Sequence, residues 1–345
     1  MNFNQVIIDG LASHLPETIV SSADIEKRLA PIYNKLNLPE GRLELMTGIK
    51  ERRVWDVGTT PSSLSAAAAI KLFEQNPQWK EEVDLLIHAS VCRDFLEPST
   101  ASVVHEMLGL KADCTFFDLS NACLGVLNAI VVAAKMIEGG AIKRALIVSG
   151  ENGAPLLEQT INRILTDETI NRKNIKKLFA NLTIGSSAVA ITLSKDNGAT
   201  KGLKLLGGAS MADSSANHLC RGDGSPHSLT METDSEALMK AGVTLAQKTW
   251  LKTKENLKLK ASEDFWAIGH QVGSAHEKLT MQALELEDRP TFVTYPYLGN
   301  TGSAALPVTL IELLKRENCP TEGQKIALLG IGSGLSSVML GVQKC

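Results

Sequence analysis

The sequence predicts an α/β protein, because apolar segments of strand length alternate along the chain with longer segments of helical periodicity. The chain has 345 residues, of which 44% are hydrophobic and only 4% aromatic, so aliphatic side chains must supply the core. A net charge of -3 argues against a general nucleic-acid binder or a polybasic membrane binder. A third observation, a weak internal repeat, predicts two similar halves.

The strand predictions rest on short apolar runs, most of them apolar throughout, as in strands that helices cover on both faces. In chain order these runs are 83–91, 145–149, 187–193, 265–269, 326–331 and 338–342. Helical periodicity predicts helices over 62–75, 123–138, 236–254 and 302–316. The amino terminus lacks the pattern of a signal peptide and is interpreted as a first strand. No window reaches the roughly 18 apolar residues of a membrane span.

The internal repeat relates residues 138–150 to residues 322–332. In both segments a helix ends, a glycine turn follows, and an apolar strand stops at small residues. The polar stretch 194–202 is the predicted seam, so we expect one half over 1–195 and the other over 203–345. Residues 155–178 are predicted to form an insertion that covers a site, and residues 212–226 are predicted to form surface loops.

The cysteines lie at positions 92, 114, 123, 220, 319 and 345, without any C-x-x-C spacing. They are interpreted as reduced thiols of a cytoplasmic protein rather than a disulfide scaffold or a zinc site. Cys123 differs from the other five because it lies where a strand pattern changes to a helix pattern. The positive end of a helix dipole lowers the pKa of a thiol, and free N–H groups in the first turn can bind an oxyanion. From this segment alone, a structural cysteine and a nucleophile are equally open.

Two further residues lie at turns where catalytic groups are often found. His270 ends an apolar strand and precedes a predicted helix, beside the crevice that forms at strand ends. Asn300 lies in a glycine-rich turn that enters another helix, and considered alone it is a helix cap. Metal-ligand spacing and nucleotide-binding glycine patterns are both missing from the sequence, so we expect no metal and no cofactor.

Taken in order, Asn-Ala-Cys123, Gly-His270-Gln and Gly-Asn300-Thr-Gly-Ser resemble the Cys-His-Asn set of the β-ketoacyl synthase III group, condensing enzymes of the thiolase superfamily. The further matches are Thr47-Gly-Ile-Lys-Glu-Arg, Pro98-Ser-Thr-Ala and Gly330-Ile-Gly-Ser-Gly-Leu. The resemblance covers essentially the whole chain. It implies the thiolase fold, which is five-layered αβαβα and built from two similar halves, and it implies a homodimer.

The resemblance also implies a role for each matching residue. Cys123 would attack an acyl thioester and carry the acyl group, while the backbone N–H groups of Cys123 and Ser333 would bind the first oxyanion. His270 and Asn300 would donate hydrogen bonds to the thioester carbonyl of the second substrate and so stabilise its enolate. Attack by the enolate carbon on the acyl-enzyme would give a β-keto product.

One carboxylate distinguishes subgroups within this family. Glu97 stands 26 residues before Cys123, where ordinary synthases III have an apolar residue. The OleA-type enzymes, which condense long-chain acyl-CoAs, have a glutamate there that reaches into the partner subunit's site. Such a carboxylate can remove the α-proton of a bound acyl chain. We therefore expect a non-decarboxylative Claisen condensation of two fatty acyl-CoAs to a 2-alkyl-3-keto acid. The alternative for Glu97 is a surface residue in a loop.

Alternative functions stay open at this stage. One is a decarboxylative β-ketoacyl-ACP synthase III that uses malonyl-ACP and an acyl-CoA primer in fatty acid biosynthesis, with acyl carrier protein as a partner. Others are an acyl thioesterase, in which water replaces the second acyl group, and a non-catalytic acyl-binding relative. Arg42 and Met46 stand where typical family members clamp the CoA adenine, a departure that argues against that mode of binding. The basic run 50–53 is interpreted as a solvated charged face, with contact to phosphates as the alternative.

Overall fold

The computed structural model describes residues 1–223, 229–260 and 263–345. Its strands are β1 (Val6–His14), β2 (Thr18–Ser21), β3 (Glu51–Val54), β4 (Leu85–His88), β5 (Thr115–Asp118), β6 (Arg144–Glu151), β7 (Ser187–Lys195), β8 (Leu203–Ala212), β9 (Cys220–Asp223), β10 (Thr230–Thr233), β11 (Phe265–Gly269), β12 (Lys325–Gly332) and β13 (Ser336–Lys344). Its α-helices are α1 (Ser22–Arg28), α2 (Ala30–Lys35), α3 (Arg42–Thr47), α4 (Pro61–Gln75), α5 (Trp79–Glu82), α6 (Thr100–Leu108), α7 (Gly125–Glu138), α8 (Ala154–Thr166), α9 (Ser235–Leu257), α10 (Ser274–Ala283), α11 (Tyr295–Leu298) and α12 (Ala305–Leu314). Short 3₁₀ segments span Ile175–Thr183, Ser214–Leu219 and Gly302–Ala304.

One large sheet contains nine strands in the order β11-β12-β13-β8-β1-β7-β6-β4-β5. Its two parts meet where β1 pairs with β8, through only two residue pairs. Numbered along the chain, the strands of the first part follow the order 3-2-4-5-1. The four strands of the second part follow the same order, 2-4-5-1, when each takes the number of its counterpart, because no described strand corresponds to β5. Near the missing third strand, the carbonyl oxygen of Pro290 accepts a hydrogen bond from Ala267 N at 3.0 Å. This repeated order confirms the prediction of two similar halves.

Helices cover both faces of each part of the sheet. α7 and α12 lie between the two parts and pack on alternate strand residues such as Ile87, Ile147, Leu328 and Leu340. On the outer face of the first part, α4 and α6 form a second apolar core, and α9 and α10 do the same on the outer face of the second part. The layers therefore run helix, sheet, helix, sheet, helix, which is the predicted αβαβα arrangement.

Most predicted elements overlap observed ones, and the predicted strand 265–269 coincides with β11. The predicted helix at Cys123 begins later, at Gly125, because Leu124 is its N-cap. The seam over 194–202 falls between β7 and β8, although the bounds 1–195 and 203–345 stay predictions. The polar segment 155–178 contains most of α8 and the start of a 3₁₀ segment.

The predicted surface loop 212–226 is partly ordered into a 3₁₀ turn and β9, and its residues 224–226 lie outside the described residues. The basic run 50–53 is only partly solvated, since Arg52 is 0% exposed. Its guanidinium donates hydrogen bonds to Val20 O at 3.2 Å and to Ser22 Oγ at 3.0 Å. Burial lowers the pKa of Arg52 to about 10, so the interpretation of this residue as part of a solvated face is wrong. Among the described helices, none is long and apolar enough to cross a membrane.

Candidate active site

Cys123 lies on the turn that leads from β5 into the central helix α7. The preceding residue, Ala122, has φ +46°, a left-handed conformation that costs a non-glycine residue free energy and is common at functional sites. Gly125 begins the helix where a Cβ atom would lie 2.8 Å from Ser303 Oγ and 3.2 Å from Ala89 O. Glycine is therefore needed for the close approach of two other segments to the start of this helix.

The thiol of Cys123 is not the acidic thiol that the helix dipole led us to expect. Burial is the main cause that raises the pKa of Cys123 to about 12, with smaller contributions in the same direction from the nearby Glu151 and Cys220. Helix α7 itself begins two residues after Cys123, at Gly125. At neutral pH the side chain is a neutral thiol, which must lose its proton as it attacks a substrate.

Asn300 lies on the turn between α11 and α12. Its backbone is held on both sides, because Asn300 N donates to Thr183 O and Gly185 N donates to Asn300 O, each at 2.9 Å. The side-chain Oδ1 accepts a hydrogen bond from Gly302 N at 3.1 Å, which is a local capping interaction. The Nδ2 group is the part of this side chain that can donate to a substrate oxygen.

Ser303 joins the Asn300 turn to the Cys123 turn. Its Oγ accepts a hydrogen bond from Val126 N at 2.9 Å, in the first turn of α7, and donates to Ala89 O at 2.8 Å. Val126 is three residues after Cys123, and Ser303 is three residues after Asn300. One buried hydroxyl group thus holds the predicted nucleophile and the predicted enolate-binding amide in a fixed relation.

Glu151, the last residue of β6, is a buried carboxylate that the sequence analysis missed. Oε1 accepts hydrogen bonds from Val91 N at 2.9 Å and Ser303 N at 3.0 Å, and Oε2 accepts one from Cys92 N at 3.2 Å. Burial raises the pKa of Glu151, and these three N–H groups oppose that rise by stabilising the charged form. A carboxylate two residues after the apolar run 145–149 was the signal that could have identified it.

His270 directly follows β11 and is only 6% exposed. Its backbone N donates to Leu329 O of β12 at 3.1 Å. Burial lowers the pKa of His270 to about 3, with a smaller contribution from His276, so the imidazole is neutral. The neighbouring Gln271 Oε1 accepts hydrogen bonds from Thr294 N at 2.8 Å and Tyr295 N at 3.1 Å. These bonds connect the His270 turn to α11, which leads to Asn300.

The turn between β12 and β13 lies against the Cys123 backbone. A Cβ atom on Gly332 would be 3.6 Å from Cys123 N and 3.1 Å from Leu124 Cγ. Ser333, the predicted second oxyanion donor, is the next residue on this turn. The structure thus brings the Cys123, Asn300 and Ser333 turns together, and β12 connects them to His270.

Glu97 is exposed. It follows β4 on a loop where Phe95 is 54% and Leu96 is 86% exposed. The loop is nonetheless anchored, because Asp94 N donates to Thr100 Oγ1 at 3.1 Å and Asp94 Oδ1 accepts from Ser62 N at 2.9 Å. Neighbouring exposed apolar side chains of this size are typical of an interaction surface.

Arg42 lines an open groove, where three further cationic side chains face it. These are Arg172, Lys173 and Lys176. Four cations in one groove suit the phosphates of a ligand better than they suit stacking on a base. Among the residues that the structure describes, no group of three or more His, Cys, Asp and Glu side chains could hold a metal ion.

Two family models match the chain. The model described as 3-oxoacyl-[acyl-carrier-protein] synthase III matches residues 117–207, and the model of the C-terminal part of that protein matches residues 255–342. An acyl-CoA:acyl-CoA alkyltransferase of Shewanella oneidensis is 35% identical over 99% of this chain and 100% of its own length. The enzyme of the same name from Xanthomonas campestris is 34% identical over 98% of each chain.

Solved structures of Xanthomonas campestris OleA superpose on this chain with a TM-score of 0.94, at 33% to 34% identity, covering 99% of this chain and 98% of theirs. One of them contains bound cerulenin. A variant of the same protein, with a TM-score of 0.93, was solved with lauric acid and lauroyl-CoA. A 3-oxoacyl-(acyl carrier protein) synthase III of Xanthomonas oryzae also has a TM-score of 0.93, at 33% identity over 99% of this chain and 100% of its own.

Proposed function

Because this chain belongs to the 3-oxoacyl-[acyl-carrier-protein] synthase III family of condensing enzymes, we propose that it joins two fatty acyl-CoA molecules by a non-decarboxylative Claisen condensation. The observation that carries the proposal is the convergence of the Cys123 and Asn300 turns on Ser303, together with an exposed Glu97 26 residues before Cys123. In the Xanthomonas campestris OleA structures, the cysteine and the glutamate that were substituted are also 26 residues apart.

In the first half-reaction the Cys123 thiol attacks the carbonyl carbon of an acyl-CoA. The carbon–sulfur bond to CoA breaks, and the thiol proton leaves with the departing CoA thiolate. The N–H groups of Cys123 and Ser333 stabilise the oxyanion that forms on the way. Burial holds the pKa of Cys123 near 12, so the thiol loses its proton only as it attacks. The two N–H groups therefore stabilise the oxyanion while the thiol is still ionising.

In the second half-reaction Glu97 of the partner subunit removes an α-proton from a second acyl-CoA. Neutral His270 and the Asn300 amide donate hydrogen bonds to its thioester carbonyl and stabilise the enolate. The enolate carbon attacks the acyl-Cys123 carbonyl, and the Cys123 thiolate leaves and recovers its proton from that carboxyl group. Hydrolysis of the resulting thioester releases CoA and a 2-alkyl-3-keto acid.

This mechanism requires a homodimer, because Glu97 is exposed on its loop and the resemblance to the OleA-type enzymes implies that this glutamate acts in the partner subunit's site. The exposed Phe95 and Leu96 beside it supply apolar surface for that contact. The cationic groove at Arg42 supports a CoA thioester as substrate, because its side chains complement phosphate groups. Reduced thiols support a cytoplasmic location, and the proposed chemistry needs no cofactor or metal.

The second candidate is a decarboxylative synthase III of fatty acid biosynthesis, which would take malonyl groups from acyl carrier protein. A β-ketoacyl-[acyl-carrier-protein] synthase III of Desulfitobacterium hafniense is 27% identical to this chain over 95% of both chains, and this similarity supports the second candidate. A decarboxylating enzyme needs no base for a C–H proton, so the exposed carboxylate of Glu97 favours the first proposal.

The deciding experiment incubates the purified protein with tetradecanoyl-CoA alone. We expect CoA release, a mass increase of one acyl group on Cys123, and a β-keto acid that carries a 2-alkyl branch. Condensation that occurs only after malonyl-carrier protein is added would contradict the proposal and favour the synthase. Free tetradecanoic acid as the sole product would indicate a thioesterase, and no acyl adduct on Cys123 would indicate a non-catalytic relative.

A further inference from the structure

Glu151 belongs to no step of the proposed chemistry, yet its carboxylate contacts two loops that do. The N–H groups of Val91 and Cys92 begin the loop that runs to Glu97. The third N–H group, that of Ser303, lies in the turn that carries Asn300. The same side chain therefore binds both segments at once, from the end of β6 between them.

The contact between Glu151 and the Asn300 turn is close and depends on glycine. A Cβ atom on Gly302 would lie 3.0 Å from the Glu151 carboxyl group, and Gly302 has φ +58°. Glycine adopts this conformation without strain and lets the turn lie directly against the carboxylate. Within the described residues Glu151 forms no ion pair, so backbone N–H groups provide the compensation for its burial.

A second set of buried hydrogen bonds fixes the strand ends on which these loops stand. Ser90 Oγ and Ser149 Oγ are 3.0 Å apart, and Gly150 N donates to Ser90 Oγ at 2.9 Å. Ser303 Oγ donates to Ala89 O at 2.8 Å. The end of β4, the end of β6 and the Asn300 turn consequently form one rigid unit, in which each loop has little freedom to move alone.

We propose that Glu151 is a positioning residue that holds the Glu97 loop and the Asn300 turn in one arrangement, and thereby links the two active sites of the dimer. The inference rests on the proposed function, in which Glu97 acts in the partner subunit's site. Each Glu151 then sets Asn300 in its own site and Glu97 in the neighbouring site. Hydrogen bonds to a charged acceptor are strong enough to fix such a geometry.

The test uses mixed dimers in which only one complete active site can form. One subunit carries Cys123→Ala and the other carries Glu97→Ala, each with a different affinity tag so that the mixed dimer is isolated. Condensation by this dimer comes from the Cys123 of one subunit and the Glu97 of the other. If the mixed dimer acylates Cys123 but does not condense, the proposed function with Glu97 acting in trans fails before Glu151 is tested.

Glu151→Gln is then introduced into one subunit at a time. Since a misplacement of about 1 Å can cost about 100-fold in rate, we expect condensation to fall by one to two orders of magnitude in both arrangements. Acylation of Cys123 by tetradecanoyl-CoA should fall less than condensation does, since removal of the Glu151 charge also makes the Cys123 thiol easier to ionise. When Glu151→Gln is in the subunit that supplies only Glu97, the loss of condensation must pass through the contacts of Glu151 with Val91 and Cys92. A role of Glu151 confined to the surroundings of Cys123 predicts no loss in that arrangement.

Asp84→Asn is the matched control, because Asp84 Oδ2 also accepts two backbone N–H bonds, from Lys143 at 2.7 Å and Arg144 at 3.2 Å. It connects the opposite, amino-terminal ends of the same strands, so condensation should not change relative to acylation. Glu151→Asp keeps the charge but shortens the reach, and it is the second variant if Glu151→Gln does not fold. A loss confined to the subunit that holds Cys123, or no loss in either arrangement, would overturn the link between sites.

Discussion

The two halves of the molecule place different chemistry at equivalent points of the same strand order. Cys123 precedes the central helix α7 of the first half, and Asn300 precedes the central helix α12 of the second. The Glu97 loop follows the second strand of the first half, and His270 follows the second strand of the second half. Glu151 is the last residue of the fourth strand of the first half, and the turn that contains Ser333 follows the fourth strand of the second half.

The two halves of the duplicated fold supply different functional groups to the proposed reaction. The first half supplies the groups that form bonds or exchange protons in the proposed reaction, namely Cys123 and Glu97. The second half supplies neutral hydrogen-bond donors, since burial lowers the pKa of His270 to about 3. Both sets converge because the carboxyl ends of the parallel strands lie at one edge of each sheet. Substitutions in the first half should therefore stop chemistry outright, and those in the second should weaken it.

The largest expected effect comes from Cys123→Ala, which removes the proposed acyl acceptor of the first half. CoA release from tetradecanoyl-CoA should fall by roughly 10⁴-fold or more, and intact-mass analysis should find no acyl adduct. Cys319→Ala is the control and should retain full activity, because Cys319 lies in a loop remote from these turns. An acylated Cys123→Ala protein would show that another residue accepts the acyl group.

Glu97→Ala should separate the two half-reactions. Loss of a general base typically costs about 10²–10⁴-fold, so the rate of β-keto acid formation should fall by that factor. Acylation of Cys123 should continue at the rate of the unchanged protein, as followed by mass spectrometry. Equal turnover of the variant would remove Glu97 from the mechanism and leave it as a surface residue.

His270→Ala probes the second half and should have a smaller effect than Glu97→Ala. Removing one donor to a developing oxyanion costs roughly 10²–10³-fold, here in condensation measured by chromatography of the keto acid. Acylation of Cys123 should remain, since the first oxyanion is held by backbone N–H groups. A parallel loss of acylation would instead assign His270 to deprotonation of the thiol.

The reactivity of Cys123 should reveal its environment directly. Below its pKa of about 12, the thiolate fraction rises with pH, so alkylation by iodoacetamide should accelerate about tenfold per pH unit from pH 7 to pH 10. Peptide mass spectrometry follows the modification of Cys123 against the other cysteines. A plateau near pH 8 to 9, as a free thiol shows, would restore the acidic cysteine that the helix position led us to expect.

Acid should destabilise the second half through its buried imidazoles. Burial lowers the pKa of His276 to about 4 and of His270 to about 3, both below the ordinary value of 6.5. The unfolded chain therefore takes up protons first, and the free energy of unfolding falls as the pH decreases from about 6.5 to about 4. His276→Gln should reduce the loss between pH 7 and pH 4.5 by about 2 kcal/mol, measured by urea unfolding. An unchanged pH dependence would contradict a neutral, buried His276.

Several features of the fold and the site were accessible from the sequence because they depend on local pattern. The apolar run 265–269 is β11, and the glycine-bounded repeat around residues 138–150 and 322–332 corresponds to the fourth strand of each half. Cys123, His270 and Asn300 each follow a strand or turn with a distinct local signature. The local patterns alone left Cys123 and Asn300 open to structural roles. The resemblance of the three, in order, to the Cys-His-Asn set of a known family selected them, and their roles stay predictions.

Other features depend on which distant segments surround a residue. Arg52 has the local pattern of a solvated charge, but β2 and α1 enclose it. Burial of Cys123, with Glu151 nearby, reversed the expected direction of the thiol pKa. No local pattern tells that Glu151 accepts hydrogen bonds from residues some sixty and one hundred and fifty positions away.

The sequence by itself determined the alternation of strands and helices, the duplication, and the residue types and order of the proposed reactive groups, because periodicity and turn chemistry act over a few residues. Only the tertiary structure decided how those groups are held and charged. Ser303 and Glu151 join the Cys123, Asn300 and Glu97 segments through bonds that form after the two halves pack together. Burial then sets the protonation of Cys123 and His270, because the free energy of a charge depends on everything around it.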